Sequence, residues 1–187
     1  MSDEKIQINN PTLEGVKCPK CGSKNYLIRG TGSAAASVGK QLLFGGVGNM
    51  VASSRSNDNF EILPVKFICR DCKEKFEALA EDAGKDQLLE KPCKITFKRL
   101  SSLIGAAIRY QVFLNGVKVG TVKRGSEITF NTFTRSNVIF VTDPHGIAFN
   151  DVYEFTAESG GEEHVKFKRK FKRWIPWRQN EWMEYCL

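Results

Sequence analysis

The chain has 187 residues, enough for one sizeable core or for a small module beside a domain of ordinary size. Its 41% hydrophobic and 11% aromatic content is that of a folded chain and excludes an intrinsically disordered one. A formal charge of +7 suits an anionic partner without demanding one, and only two histidines, His145 and His164, leave little scope for imidazole chemistry.

Residues 1–15 are polar and read as a flexible leader with no apolar segment of the secretory type. No run of eighteen strongly apolar residues follows, so the expected location is cytoplasmic, where six cysteines argue for metal or free thiols over disulfides.

Residues 16–80 contain two C-x-x-C pairs, Cys18-Pro-Lys-Cys21-Gly22 and Cys69-Arg-Asp-Cys72-Lys73. Two thiolates separated by two residues can grip one ion where the chain bends into a tight knuckle. Pro19 favours that bend, and Gly22 tolerates the positive φ that follows it. Four such sulfurs suit a tetrahedral zinc ion, and strand-like residues at 26–28 and 65–68 would pair across the site. The expectation is one structural Zn2+ held by Cys18, Cys21, Cys69 and Cys72, which lowers the net charge to about +5. A redox dithiol would need only one pair at a strand-to-helix junction, and unrelated buried thiols are the remaining alternative. Cys93 and Cys186 read as small buried hydrophobes outside the quartet.

The motif Cys18 to Gly22 resembles the first knuckle of the zinc-ribbon family, and the likeness covers residues 16–30 and 63–78. Such ribbons have far fewer than the forty-seven residues that separate Cys21 from Cys69 here. The resemblance therefore implies an insertion at 31–62, which costs little loop entropy. The insertion is rich in Gly, Ala and Ser. A helix is expected over 33–44, broken at Gly45-Gly46, with Leu42, Leu43, Phe44, Val47 and Met50 packing on the protein itself or on a second copy. A mobile loop is the first alternative for this segment and membrane contact the lesser one.

Residues 81–92 read as a linker or short helix. From residue 93 to 173 a period-2 pattern predicts an antiparallel β-sandwich of about seven strands, at 94–100, 108–115, 117–122, 127–132, 138–142, 152–157 and 164–171. A barrel is the alternative. Asn115-Gly116 supplies the two positive-φ residues of a type I′ hairpin, and Gly120 is a candidate bulge. The hairpin built on Asn115, Gly116, Val119, Gly120 and Gly125 resembles small bacterial PEGA-like modules, which implies a structural or contact role without catalytic residues. The fold expected overall is mostly β, a zinc ribbon with a long insertion followed by the sandwich.

The segment to residue 173 and the aromatic tail at 174–187 place Lys166, Lys168, Arg169, Lys170, Lys172 and Arg173 beside Trp174 and Trp177. Cations beside aromatics fit single-stranded nucleic acid or an anionic surface. The plainer reading is a lysine-protected edge strand with tryptophans covering one end of the sandwich. Asp143-Pro-His145-Gly146 reads as a turn, and no nucleophile elbow, metalloprotease helix or dinucleotide fingerprint is present. The expectation is therefore a non-enzymatic zinc-binding interaction or scaffold protein with a protein partner or its own copy, no small-molecule substrate, and nucleic acid or a membrane surface as alternatives.

Overall fold

Strands dominate because short alternating apolar runs are punctuated by turn residues throughout the chain. The computed structural model describes residues 10–31, 61–101, 107–145, 147, 152–171 and 181–186. In chain order the strands are β1 (Pro11–Thr12), β2 (Tyr26–Thr31), β3 (Glu61–Ile62), β4 (Val65–Cys69), β5 (Lys75–Ala78), β6 (Glu81–Asp82) and β7 (Leu88–Arg99). They continue as β8 (Tyr110–Leu114), β9 (Val117–Val122), β10 (Glu127–Thr134), β11 (Ser136–Thr142), β12 (Tyr153–Thr156), β13 (Glu162–Phe171) and β14 (Glu181–Cys186).

Two larger sheets face each other, ordered β10-β7-β13-β14 and β12-β11-β8-β9-β3. Ile95, Phe97, Phe130, Val165 and Phe167 of the first meet Tyr110, Val112, Leu114, Val122, Ile139 and Val141 of the second in one core. Arg99 is buried at its edge, donating to the Ile108 carbonyl with its guanidinium 4.3 Å from the centre of the Tyr110 ring. At the opposite edge Tyr153 donates to Glu163 across the two sheets at 2.6 Å. Desolvation, with the neighbouring carboxylate, pushes that phenol up to about 12. All seven strands expected between residues 94 and 171 are present. The register of β8 and β9 slips between Val112–Gly120 and Phe113–Lys118, where a bulge is expected.

The pairing departs from the expected all-antiparallel arrangement at one place, since β13 runs parallel to β7. Turn residues set the direction of consecutive strands only. These two are far apart in sequence and meet after the chain has crossed between the sheets. Nor is β13 an edge strand, because β14 pairs with its outer side. The lysine-protected-edge reading is therefore corrected, since pairing partners cannot be read from one strand's own composition.

A third sheet, β2-β4-β5, lies against the outer face of the β8–β11 pair. Its Ile28, Val65 and Phe67, with Leu13, Val16, Leu63 and Ala80, share a second core with Phe113 and Phe140. The last two rings stack at 5.1 Å. Strands β8 and β11 are thus buried on both faces, which explains why their apolar residues run together and do not alternate.

The segmentation differs from expectation in two respects. The part of the expected leader that is described is not loose, because Thr12 and Leu13 are buried and β1 pairs with β6. The stretch at 81–92 holds β6, a single 3-10 turn at Lys85–Gln87 and the start of β7, so a free linker is absent there. Polarity marked both stretches as loose, but backbone pairing needs no apolar side chains. Most of the insertion, including the expected helix at 33–44, lies outside the described residues. Its final residues form β3 and pair with β9. Among the described residues no helix is long and apolar enough to cross a membrane.

Candidate metal centre

The first cysteine pair precedes β2, and the second is the turn that joins β4 to β5. Pairing of β2 with β4 sets Tyr26 beside Cys69, which carries the first knuckle over the second. The two knuckles repeat one hydrogen-bond pattern. In the first, the Gly22 N–H donates to the Cys18 carbonyl at 2.8 Å and the Cys18 N–H to the Ser23 carbonyl at 2.9 Å. In the second, Lys73 donates to Cys69 at 3.1 Å and Cys69 to Glu74 at 2.9 Å. Each loop closes on a left-handed residue, Gly22 at φ 72° and Lys73 at φ 61°.

All four Sγ atoms lie within 4.8 Å of one another. Cys18 stands 3.5 Å from Cys72, and Cys21 stands 3.6 Å from Cys69. Sulfurs about 2.3 Å from one tetrahedral ion sit about 3.8 Å apart, whereas a disulfide would bring a pair to about 2.05 Å. The spacing therefore matches a shared metal ion and excludes bonded sulfur. The quartet is close enough to hold a metal ion, and among the described residues no other group of His, Cys, Asp and Glu side chains is placed to do so. Cys18 and Cys69 are buried, Cys72 is half-buried and Cys21 exposed.

Crowding is visible in the thiols' acidity. Cys69 is drawn down to about 7, chiefly by the Cys72 backbone N–H and against the cost of desolvation. Cys21 moves the other way, to about 12. The Ser23 backbone N–H favours its thiolate but is outweighed by hydrogen bonds to Cys72 and the other thiols and by desolvation. Ionising neighbouring thiols together is opposed by their mutual repulsion, which a bound cation would relieve.

The sequence reading missed the brace between the knuckles. The Asp71 carboxylate accepts from the Ser23 hydroxyl and from Asn25 Nδ2, the latter at 2.8 Å, while the Arg70 N–H donates to the Asn25 carbonyl at 2.8 Å. The Ser23 and Asn25 bonds hold the Asp71 carboxyl below its usual range. An acid between the second pair of cysteines was the available signal, but its partners lie forty-six and more residues away.

An added Cβ on Gly22 would meet nothing within 4 Å, so only its positive φ resists substitution. Gly22→Ala is expected to cost about 1 kcal/mol with metal still bound, read as a small shift in the denaturation midpoint at unchanged metal content.

The remaining expected site residues are less concentrated. Lys166 and Lys168 are exposed on the outer face of the four-stranded sheet, and Arg169 and Lys170 continue β13. Lys172, Arg173, Trp174 and Trp177 lie outside the described residues. Cys93 is buried against Leu89 and Ala157, its thiol pushed up by desolvation, as suits a small core residue. Cys186 ends β14. No protein-family model, curated protein or solved structure matches the chain, so what the four-cysteine cluster can hold is decided by its own chemistry.

Proposed function

We propose that Cys18, Cys21, Cys69 and Cys72 bind one structural Zn2+ in a ribbon-type site and that the protein is a non-enzymatic interaction or scaffold protein. The observation that carries the reading is the convergence of four sulfurs from two matched knuckles at tetrahedral spacing. Zinc is the ion favoured by four thiolates in this geometry, and bound there it supplies folding energy. Four thiolate donors leave no open coordination position for a substrate, which supports a structural role over a catalytic one. A protein partner or a second copy fits the two large apolar side chains left exposed among the described residues, Leu79 at 43% and Ile147 at 62%.

Metal analysis of the purified chain should give one equivalent of zinc. Replacement with Co2+ should give the intense thiolate-to-metal absorption and the visible bands of a tetrahedral four-sulfur site. A metal-free protein of unchanged fold, or cobalt spectra of an oxygen-rich octahedral site, would overturn the assignment.

Nucleic acid is the second reading, favoured by exposed Lys166 and Lys168 beside Lys98. Against it, Lys98 is paired with Glu127 at 3.2 Å and Lys94 with Glu162 at 3.0 Å, so much of that face is already neutralised. A salt-sensitive complex with a single-stranded oligonucleotide, abolished by Lys166→Glu with Lys168→Glu, would move the assignment to nucleic acid.

A further inference from the structure

A concavity opens on the five-stranded sheet, on the face that also carries the cysteine-bearing sheet. Across three strands Thr142, Gln111 and Thr121 are register neighbours, and Gln111 and Thr121 line a cleft of about 770 Å³. Just beyond the strand ends, Arg109 precedes β8 and Lys123 follows β9, both exposed and both lining the cleft. The turn after β11 adds Asp143, Pro144 and the exposed His145. Ala107 and Pro144 add a small apolar surface, while the Ile108 side chain packs against the core between the two larger sheets.

The donors there exceed the acceptors. A guanidinium, an ammonium, an imidazole, an amide and a hydroxyl line one hollow, and the single carboxylate among the lining residues belongs to Asp143. One oxygen of that carboxylate is already committed, because Asp143 Oδ1 accepts the backbone N–H groups of His145 and Ile147, each at 2.9 Å. Asp143 therefore shapes the turn that presents His145. A cleft of this size is in the range of small-molecule sites and too large for a bare ion alone. Guanidinium and ammonium groups beside neutral donors are the chemistry that recognises phosphate oxygens.

We propose that this cleft binds a small phosphate-bearing molecule. Arg109 and Lys123 hold the phosphate, Gln111 and Thr121 supply neutral donors, and the side lined by Ala107 and Pro144 accepts the rest of the ligand. The site is independent of the metal centre and uses none of its residues.

The test is an amide-resolved NMR titration of the full, metal-loaded chain with adenosine monophosphate, inorganic phosphate and adenosine in parallel. Adenosine monophosphate is expected to move the Gln111, Thr121 and Lys123 resonances, with adenosine leaving them in place. A much weaker response to inorganic phosphate would support an organic phosphate, whereas an equal response would mean a bare oxyanion suffices and would overturn the proposal. Arg109→Ala with Lys123→Ala should weaken binding about tenfold or more without changing the thermal midpoint, as both side chains are exposed. Asp143→Asn keeps the accepting oxygen and removes the negative charge, so it should tighten binding, a change that partial unfolding would not produce. Shifts that ignore all three substitutions, no shift at millimolar ligand, or a response to a single-stranded oligonucleotide alone would overturn the proposal.

Discussion

Cys69→Ser is expected to abolish stoichiometric zinc binding and to unfold the metal-binding sheet together with much of the stability of the sheets behind it. A four-thiolate zinc site contributes about 10–16 kcal/mol of folding energy, as much as the whole net stability of an ordinary domain. The loss should not stay local. Phe67 and Val65 of β4 share a core with Phe113 and Phe140 of the five-stranded sheet, so unfolding the metal-binding sheet would expose both of those rings. Exposing a buried core aromatic costs about 1.5–3 kcal/mol. The measurement is thermal denaturation followed by near-UV circular dichroism, with metal content assayed on the same sample. Chelation of the unmutated protein should reproduce the result. Cys93→Ser is the control, because that thiol lies in a different cluster and its loss should leave one equivalent of zinc in place. A Cys69→Ser protein whose larger sheets melt at the original temperature would show that the two cores are not coupled.

Asn115→Ala carries the second largest expected effect, and it acts at a turn that resembles a surface hairpin in sequence. Asn115 is 1% exposed. Its Nδ2 donates to the Pro11 carbonyl at 2.9 Å and to Asn137 Oδ1 at 3.0 Å, and its Oδ1 accepts the Val138 N–H at 2.7 Å. Asn137 in turn accepts from the Thr132 hydroxyl at 2.9 Å and donates to the Thr134 and Arg135 carbonyls, where the chain passes from β10 in one sheet to β11 in the other. One amide side chain therefore ties the N-terminal segment, the hairpin and the crossing between sheets. Alanine would leave the Val138 N–H and the Pro11 carbonyl without these partners, at about 1–3 kcal/mol for each buried group left unsatisfied. A total near 2–4 kcal/mol would lower the thermal midpoint by about 5–15 °C for a chain of this length. Metal content should stay at one equivalent, since no ligand is touched. A midpoint within a degree or two of the original would mean that the network is replaced by water.

The neighbouring Gly116 shows why this turn accepts so little change. It sits at φ 84°, and an added Cβ would stand 3.1 Å from Val65 Cγ2, with Leu13 and Ala80 close behind. The pair Asn115-Gly116 thus meets two demands together, a left-handed backbone for the hairpin and an absent side chain where the third sheet is packed. The first is a local property, legible from two letters. The second depends on residues about fifty and about a hundred positions away.

That contrast divides what the chain reveals. Spacing of two between Cys18 and Cys21, and again between Cys69 and Cys72, was enough to assign both knuckles, because the bend that aims two sulfurs at one point is made within four residues. Alternation and turn residues were enough to place seven strands, because a strand's faces and ends are set by its own side chains. Tertiary structure decided everything that one segment must learn from another: the parallel union of β7 with β13, the covering of β13 by β14, the second core under the cysteine-bearing sheet, the Asp71 brace, and the gathering of Arg109, Lys123 and His145 around one cleft. Local conformational preference is written along the chain at short range, whereas burial and pairing are satisfied by whichever distant surface completes the core.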